Sequence, residues 1–315
     1  MPYQILVSDG LSQAGLDRLS AVGEVTNNDK ITPAELLAAL PGFHALVVRS
    51  RTKVTARVIA AGTNLKVIGR AGVGVDNIDV AAAVARGITV VNSPFAASVS
   101  VAEHTLGLML ALAHHIAAAD ASMKQGKWDK HAFLGSELKG KTLGLLGIGR
   151  IGAEVAARVR AFGMKVMAYD PYLTPEQIQQ RQAVPAGFDD VLASSDYLSL
   201  HLPLTAATRG LLGAPQFAAM KKGARLICTA RGGVIDEEAL RAALDAGQLA
   251  GAALDVFASE PPPSDSIARH PRVIATPHIG AQTQEGQALA GRMIAEEVSA
   301  VLEGREPRFR VMSNE

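Results

Sequence analysis

Short runs of apolar, often β-branched residues alternate along the whole chain with Ala- and Leu-rich stretches of helical period. In the first hundred residues, this pattern predicts strands at 4–8, 45–49, 66–69 and 89–92. A second series predicts six strands at 142–147, 165–169, 197–201, 225–229, 250–256 and 273–276. Strands that alternate with helices are typical of βαβ units and a parallel sheet, so we expect an α/β fold.

Local sequence signals mark the beginnings and ends of individual helices. Thr32 to Glu35 reads as a capping box with proline at the first helical position. The helix predicted at 79–86 ends at a glycine, as helices often do. Residues 100–119 are predicted to form one long apolar helix, and residues 283–302 form the last helical pattern.

The order of these elements predicts two doubly wound domains. The first takes residues 1–98 and the second residues 99–286, with 287–315 returning to the first because the second sheet is complete before the last helix. We expect the ligand site in the cleft between the domains, since ligands favour domain interfaces and the carboxyl ends of parallel strands.

Composition narrows the class of protein. The chain has 315 residues, of which 48% are hydrophobic, and its 31 basic and 30 acidic residues leave a formal charge of +1. Such a balance does not favour nucleic-acid binding, which depends on a clustered positive field. One cysteine excludes an intrachain disulfide and a cysteine zinc site, and no metal motif is visible. Without a signal peptide or a long apolar run, we expect a cytoplasmic protein with no membrane partner.

A glycine-rich loop follows the strand at 142–147. Gly147, Gly149 and Gly152 form a GxGxxG pattern that opens a predicted helix at 151–162, and the next strand ends at Asp170. This context predicts a Rossmann dinucleotide site: the glycines allow a tight turn, close approach of the backbone to a pyrophosphate, and close helix packing. The ordinary alternative is a glycine-rich turn in which Asp170 caps the following helix.

The carboxylate of Asp170 would accept hydrogen bonds from the adenosine ribose and would repel a 2′-phosphate, so we expect NAD as the cofactor. Arg150 faces either the pyrophosphate or solvent in this interpretation. The cofactor-binding residues predicted from the loop are Gly147, Gly149, Arg150, Ile151, Gly152 and Asp170.

Three chemically active side chains follow the last three predicted strands. Arg231, Glu260 and His278 each come just after a strand end, where catalytic groups collect in an open α/β sheet. A guanidinium can bind a 2-oxo acid carboxylate, an imidazole can move a proton, and a carboxylate can orient that imidazole. Each residue alone also suits an ordinary surface or loop role. Together, beside a dinucleotide loop, they favour hydride-transfer chemistry.

These segments resemble the D-isomer-specific 2-hydroxyacid dehydrogenase family. The resemblance rests on residues 143–152, 229–237, 253–257 with 260–262, and 276–281, and it runs nearly end to end. Residues 48–55, 69–79 and 126–128 are most similar to its D-3-phosphoglycerate dehydrogenase branch. The resemblance implies a flavodoxin-like substrate domain, an inserted Rossmann NAD-binding domain, a small 2-hydroxy or 2-oxo acid as substrate, and a role in serine biosynthesis.

The family's catalytic residues match Arg231, Glu260 and His278 of this chain. Its nicotinamide contacts match Thr229, Ala230, Asp255, His278 and Gly280. Its substrate contacts match Arg49, Ser50, Arg51, Ala71, Gly72, Val73, Gly74, Arg231 and His278. The loop at 71–74 is also an anion-binding nest by its own geometry, although an ordinary tight turn is the alternative. His201 is best interpreted as structural.

Other functions remain open within and outside this family. Ala97 stands where phosphoglycerate dehydrogenases usually carry asparagine, and the chain stops soon after residue 302, so we expect a short form without a regulatory domain. A glyoxylate/hydroxypyruvate reductase or another 2-hydroxyacid dehydrogenase is the alternative, and an NADH-sensing, corepressor-like binding protein is a more distant one. The apolar helix at 100–119 predicts either simple core burial or a homodimer interface, and we expect the homodimer.

Overall fold

The structure, a computed structural model, describes residues 2–312 of the chain. Along these residues the strands are β1 (Tyr3–Val7), β2 (Gly23–Asn27), β3 (Ala45–Val48), β4 (Val67–Arg70), β5 (Thr89–Asn92), β6 (Thr142–Leu146), β7 (Lys165–Tyr169), β8 (Val184–Pro185), β9 (Tyr197–Leu200), β10 (Ala224–Cys228), β11 (Leu249–Leu254), β12 (Val273–Ala275) and β13 (Arg310–Val311).

The α-helices are α1 (Gln13–Ser20), α2 (Pro33–Ala39), α3 (Ala56–Ala61), α4 (Val80–Ala85), α5 (Ser98–Ala113), α6 (Ile116–Lys124), α7 (Arg150–Arg160), α8 (Pro175–Gln180), α9 (Phe188–Ser194), α10 (Ala214–Ala219), α11 (Glu237–Asp245) and α12 (Gln284–Leu302). Short 3₁₀ turns lie at Leu40–Gly42, Lys130–Phe133 and Ile267–Arg269. These elements fall into two compact units, one of residues 2–97 with 282–312 and one of residues 98–281.

The first unit has a six-stranded sheet in the order β13-β5-β4-β3-β1-β2, in which only β13 is antiparallel. The parallel part has the flavodoxin-like order. Successive strand residues such as Leu46 and Val47 point to opposite faces, and both faces are buried. Helix α12 packs on the second face through Ile294 and Val298, where a side chain at Gly69 would collide with both.

The second unit has a seven-stranded parallel sheet in the order β12-β11-β10-β9-β6-β7-β8. The order reverses between β6 and β9, which is the Rossmann switch point where doubly wound sheets bind ligands. Leu145 and Leu146 bury opposite faces of β6, so helices cover the sheet on both sides. The α/β prediction with two doubly wound sheets is confirmed.

The capping box at Thr32 and Glu35 is present, with Pro33 at the start of α2. Three short strands were missed: β2 and β13 make the first sheet six-stranded instead of four, and β8 makes the second seven-stranded instead of six. All three lie toward sheet edges, where half-exposed or two-residue strands carry little apolar pattern.

The prediction of one continuous helix at 100–119 is wrong. Helix α5 ends at Ala113, His115 takes a left-handed φ of 54°, and α6 leaves at a bend of 65°. The cause is tertiary, because the Ala113 carbonyl accepts the N–H of Ser136 (2.9 Å). No single helix among residues 2–312 has the length and apolar character to cross a bilayer.

Candidate active site

A histidine–carboxylate pair lies beyond the ends of neighbouring strands in the second unit. His278 follows β12 and Glu260 follows β11, and Nδ1 of His278 lies 2.8 Å from Oε2 of Glu260. The other Glu260 oxygen accepts the N–H of Phe257 (3.2 Å), which fixes the carboxylate. With Nδ1 turned to Glu260, the Nε2 atom of His278 is left to exchange a proton with a ligand.

Arg231 follows β10, the strand next to β11. Its Nη1 donates to the carbonyl of Ala230 (2.7 Å), so the guanidinium is oriented by its own loop. The order β12-β11-β10 therefore presents an imidazole, a carboxylate and a guanidinium from three adjacent strand ends. Parallel strands end at one edge of the sheet, so all three groups lie along the same edge.

The backbone around His278 is held by a buried carboxylate. His278 has a left-handed φ of 53°, and its N–H donates to the carbonyl of Asp255 (2.9 Å). Asp255 is 1% exposed, and its side chain accepts hydrogen bonds from Oγ1 of Thr276 (2.5 Å) and from the N–H groups of Ile279 (2.9 Å) and Gly280 (2.8 Å). Asp255 thus fixes the loop on both sides of His278.

Sequence reasoning missed one member of this network, His104 on α5. Its Nε2 lies 3.1 Å from Oγ1 of Thr276 and 3.3 Å from Oδ1 of Asp255. Burial alone would raise the pKa of Asp255, but hydrogen bonds from two side chains and two backbone N–H groups outweigh burial and lower it. In the sequence, the only indication of a role for His104 is that a titratable residue lies within an apolar helical stretch.

The predicted dinucleotide loop joins β6 to α7. Gly147 has a φ of 85°, and a Cβ there would meet the His201 carbonyl oxygen at 2.5 Å. A Cβ on Gly152 would meet the Gly147 oxygen at 2.6 Å, so both positions need glycine. Gly149 caps α7 without a side-chain hydrogen bond, and a Cβ on it would point into open space. The helix start therefore presents uncapped N–H groups to a free volume, which fits a pyrophosphate.

Asp170 follows β7 and faces this loop. Its Oδ2 accepts the N–H of Ile148 (3.0 Å) and its Oδ1 accepts the N–H of Tyr172 (3.1 Å). A carboxylate offers about four lone-pair sites, so two remain for ribose hydroxyls. Asp170 holds the turn after β7, whereas the cap of the following helix α8, which was the alternative role for Asp170, is Thr174.

The other predicted cofactor positions also lie along this edge of the second unit. Thr229 and Ala230 follow β10 and are buried, and Oγ1 of Thr229 is 2.9 Å from Oγ1 of Thr105. Arg150 and Ile151 begin α7, and Gly280 is buried against Asp255. His201 lies beneath the loop with Nε2 2.9 Å from Oγ of Ser199, and burial lowers its pKa to about 4, so it stays neutral. This environment fits the structural role expected for His201.

In the first unit, Asp9 organises the loop after β3. Its carboxylate accepts the N–H groups of Arg49 (2.7 Å) and Thr52 (3.1 Å), and the hydroxyl of Thr52 (2.5 Å). The guanidinium of Arg51 is 3.2 Å from the same carboxylate and donates to the carbonyls of Ser8 and Ile31. The structure thus uses Arg51 to hold the loop.

Arg49 is bound less tightly through its side chain. Its guanidinium donates a hydrogen bond to Oε1 of Gln282 (3.4 Å), and burial lowers the pKa of Arg49, although the nearby charge of Asp9 acts in the opposite direction. Ser50 between the two arginines is exposed. Of the three predicted substrate residues in this loop, Ser50 and Arg51 are exposed and Arg49 is half-buried, and the hydrogen bonds of the Arg51 side chain go to carbonyls of the protein itself.

The glycine loop after β4 offers two free donors. Ala71 donates to the carbonyl of Val48 (2.9 Å) and Gly72 to that of Arg70 (2.8 Å). The N–H groups of Val73 and Gly74 have no protein acceptor among residues 2–312. Of the four residues predicted to bind a carboxylate here, Val73 and Gly74 have the unpaired N–H groups that an anion needs.

In the part of the chain that the structure describes, no group of three or more His, Cys, Asp or Glu side chains is placed to hold a metal ion. Cys228 is buried, and burial raises the pKa of its thiol to about 11. A thiol with so high a pKa is a poor nucleophile at neutral pH, which fits its interpretation as a strand residue.

Fold and site together define a dinucleotide-binding α/β protein with an acid–base pair at the sheet edge. Comparison with protein families agrees: residues 106–280 match the model of the D-isomer specific 2-hydroxyacid dehydrogenase, NAD binding domain. The chain belongs to this family, and its second unit contains the family's NAD-binding domain.

Individual relatives extend the likeness beyond that domain. The chain is 50% identical over 303 residues to a D-3-phosphoglycerate dehydrogenase of Methanocaldococcus jannaschii, covering 96% of this chain and 58% of the relative. It therefore spans less than two thirds of the length of that relative. Among solved structures it resembles the TT0316 protein of Thermus thermophilus, with a TM-score of 0.88, 38% identity, and 98% of this chain and 100% of that one covered. A glyoxylate reductase from Paecilomyes thermophila gives a TM-score of 0.89 at 31% identity, with 99% of both chains covered.

Proposed function

We propose that this chain is an NAD-dependent D-2-hydroxyacid dehydrogenase whose substrate is D-3-phosphoglycerate, oxidised reversibly to 3-phosphohydroxypyruvate. The observation that carries the proposal is the 2.8 Å contact between His278 and Glu260 at the sheet edge that also holds Arg231. An imidazole with a free Nε2, a carboxylate behind it and a nearby guanidinium suit an alcohol next to a carboxylate.

Each residue has a role in this reaction. In the oxidative direction, Nε2 of His278 takes the proton of the C2 hydroxyl, and Glu260 stabilises the imidazolium that forms. Arg231 binds the substrate carboxylate and stabilises the carbonyl as it develops. Bound NAD supplies the hydride acceptor. Val73 and Gly74 of the first unit offer their N–H groups to the carboxylate, and Arg49 and Ser50 offer an anion contact to the phosphate.

The residues of the second unit fit the cofactor. Uncapped N–H groups at the start of α7 suit the pyrophosphate, and Asp170 has free lone pairs for the adenosine ribose. The charge of Asp170 disfavours a 2′-phosphate, so NAD is preferred over NADP. Thr229, Ala230, Asp255 and Gly280 complete the proposed cofactor contacts. A reaction on a cofactor and substrate of central metabolism favours a cytoplasmic location.

A homodimer is the proposed assembly. Helix α6 contains no buried residue, and the segment that follows exposes Trp128 by 83% and Leu134 by 88%. Ile116 and Met123 on α6 are also more than half exposed. An apolar surface of this kind marks an interaction site, and a second copy of the chain can cover it with the same surface.

Initial rates with the purified protein test the substrate assignment. We expect NAD with D-3-phosphoglycerate, and NADH with 3-phosphohydroxypyruvate, to give higher kcat/KM than NADH with hydroxypyruvate or glyoxylate. Equal or better rates with the unphosphorylated acids would contradict the assignment of a phosphorylated substrate. They would support a glyoxylate/hydroxypyruvate reductase, and a glyoxylate reductase is among the solved structures that the chain resembles over 99% of its length. Binding of NADH without turnover of any acid would instead support a sensor.

A further inference from the structure

Two neighbouring residues of helix α5 contact two of the strand-end segments described above. Nε2 of His104 lies 3.1 Å from Oγ1 of Thr276, which is two positions before His278. Oγ1 of Thr105 lies 2.9 Å from Oγ1 of Thr229, which follows β10. Helix α5 is therefore hydrogen-bonded to both segments that carry the proposed chemistry in the second unit.

Helix α5 is firmly held where these contacts are made. Leu108 and Met109 of the helix are buried in the apolar core beside the sheet. The Thr105 hydroxyl has one hydrogen, which it donates to the carbonyl of Val101 (2.8 Å). Its oxygen is therefore left to accept the hydroxyl of Thr229, which ties the helix to the end of β10. A helix fixed in this way can serve as a support for the groups that its side chains bind.

The direction of the hydrogen bonds around His104 follows from the donors that are available. The Thr276 hydroxyl has a single hydrogen, and it donates that hydrogen to Oδ1 of Asp255 (2.5 Å). The Thr276 oxygen can then only accept, so Nε2 of His104 must carry a hydrogen. The same nitrogen lies 3.3 Å from Oδ1 of Asp255, which is also an acceptor. His104 is thus a donor at Nε2 in either charge state, and Nδ1 is the nitrogen that gains or loses the second proton.

The donor on His104 acts on a buried carboxylate. Burial would raise the pKa of Asp255, but hydrogen bonds lower it on balance, and the bond from His104 is the largest of them. A Cβ on Gly280 would meet Oδ2 of Asp255 at 3.1 Å and Cδ2 of His104 at 3.7 Å. The segment after His278 therefore passes close to both the carboxylate and the imidazole of His104.

We propose that His104 is a positioning residue for His278. Its Nε2–H group donates to Thr276 and Asp255, and these two residues hold the backbone on both sides of His278. The left-handed backbone of His278 (φ 53°) needs such support, because a residue other than glycine seldom adopts that conformation unless its surroundings impose it. The role of His278 in this proposal rests on the proposed dehydrogenase function, whereas the contacts of His104 hold without it.

Two substitutions of His104 separate the hydrogen-bond donor from the imidazole ring. In His104→Gln an amide NH₂ lies the same number of bonds from Cα as Nε2 does, so a donor remains, whereas His104→Leu has none. Both variants lose the ring, so the effect of lost ring packing is common to both. With NADH and 3-phosphohydroxypyruvate, we expect kcat to fall about tenfold in His104→Leu and to stay within about threefold of the parent value in His104→Gln. The KM for the acid should change little, because other residues bind its carboxylate.

Two further measurements need no substrate. Amide hydrogen exchange at Ile279 and Gly280 should be about tenfold faster in His104→Leu and close to the parent rate in His104→Gln, because the loop opens more easily without the donor. Two-bond ¹H–¹⁵N spectra of the parent protein should show His104 protonated at Nε2 throughout the range of about pH 6 to 8. The loss of this signal in His104→Gln assigns it.

Glu103→Gln is the matched control on the same helix. The Glu103 side chain is 62% exposed and lies 3.6 Å from Arg158, and an exposed pair of this kind contributes little to stability. Its kinetics and exchange rates should match those of the parent protein. A parental kcat in His104→Leu, equal impairment of both His104 variants, or an Nε2 atom without a hydrogen would each overturn the proposal. Absence of turnover of any acid by the parent protein would instead contradict the proposed function, and the exchange rates would then decide whether His104 holds the loop.

Discussion

Nδ1 of His278 is 2.8 Å from Oε2 of Glu260, although the two residues are eighteen positions apart and follow different strands. This contact leaves one imidazole nitrogen for a substrate and places a negative charge behind the other. Changing Glu260 to glutamine keeps a hydrogen-bond acceptor but removes the charge. We expect kcat to fall by about tenfold, since a charge-assisted hydrogen bond contributes about 1–1.5 kcal/mol more than a neutral one, and a barrier change of that size alters the rate by about that factor.

Stopped-flow and steady-state rates with 3-phosphohydroxypyruvate measure this effect of Glu260→Gln. The KM for NADH should stay within about twofold, because Glu260 is not among the proposed cofactor contacts. Glu238→Gln, an exposed carboxylate at the start of α11, serves as the control. An unchanged kcat in Glu260→Gln would show that the carboxylate does not support the imidazole.

Asp255 is expected to support the same site through the backbone. In Asp255→Asn, an amide NH₂ replaces one of the two carboxylate oxygens, and it must then face hydrogen-bond donors that have lost their acceptor. We therefore expect the unfolding free energy to fall by about 1–3 kcal/mol. Because the folded-state pKa of Asp255 is lowered, its stabilising effect is present above the unfolded pKa and is lost as pH falls through the folded value.

Chemical denaturation at several pH values therefore checks Asp255→Asn. The difference in stability from the parent protein should be largest near pH 7 and should shrink below about pH 4. Asp120→Asn is the control, since its exposed pair with Lys124 should contribute only a few tenths of a kcal/mol. A pH-independent difference would mean that the charge of Asp255 does not hold the loop.

Substitutions of the two arginines after β3, Arg49 and Arg51, should have different effects on activity and stability. Arg49→Gln should raise KM for the phosphorylated substrate by about tenfold or more with little effect on hydroxypyruvate. Arg51→Gln should instead lower the unfolding free energy by about 1 kcal/mol, because it removes the ion pair with Asp9 and hydrogen bonds to two carbonyls. Kinetics with both substrates, together with thermal melts, distinguish these outcomes. The reverse pattern would exchange the two assignments.

The exposed apolar segment gives a prediction about assembly. Light scattering should show a dimer for the parent protein and a monomer for the double variant Trp128→Ser, Leu134→Ser, because both side chains would leave a shared interface. Val184→Ser removes an exposed apolar side chain from the edge strand β8 and should not change the mass. A monomeric parent protein, or a double variant that stays dimeric, would contradict this interface.

Sequence pattern alone was enough for the central strands and for the strand-end positions of Arg231, Glu260 and His278. Those elements carry dense apolar runs, and both sheet faces are covered, so local pattern and tertiary burial agree. The break between α5 and α6 was not predictable in this way. Neither proline nor glycine marks it, and the cause is a hydrogen bond from Ser136, more than twenty residues away.

Tertiary contacts also explain what was missed in the site. His104 meets Asp255 and Thr276 only because α5 packs against the sheet of the second unit. Arg49 and Arg51 look equivalent in sequence, but the folded chain turns Arg51 toward Asp9 and two carbonyls. Spacing can place residues at a strand end, whereas the partners of each side chain come from distant parts of the chain.

The rate of NADH formation from NAD and D-3-phosphoglycerate, measured for the parent protein and for His278→Gln, tests the central claim most directly. We predict turnover of the D-isomer by the parent protein and a kcat lower by about 10²–10⁴ in His278→Gln, with NADH still bound in a fluorescence titration. Full activity of His278→Gln, or no turnover of any 2-hydroxy acid by the parent protein, would contradict the account.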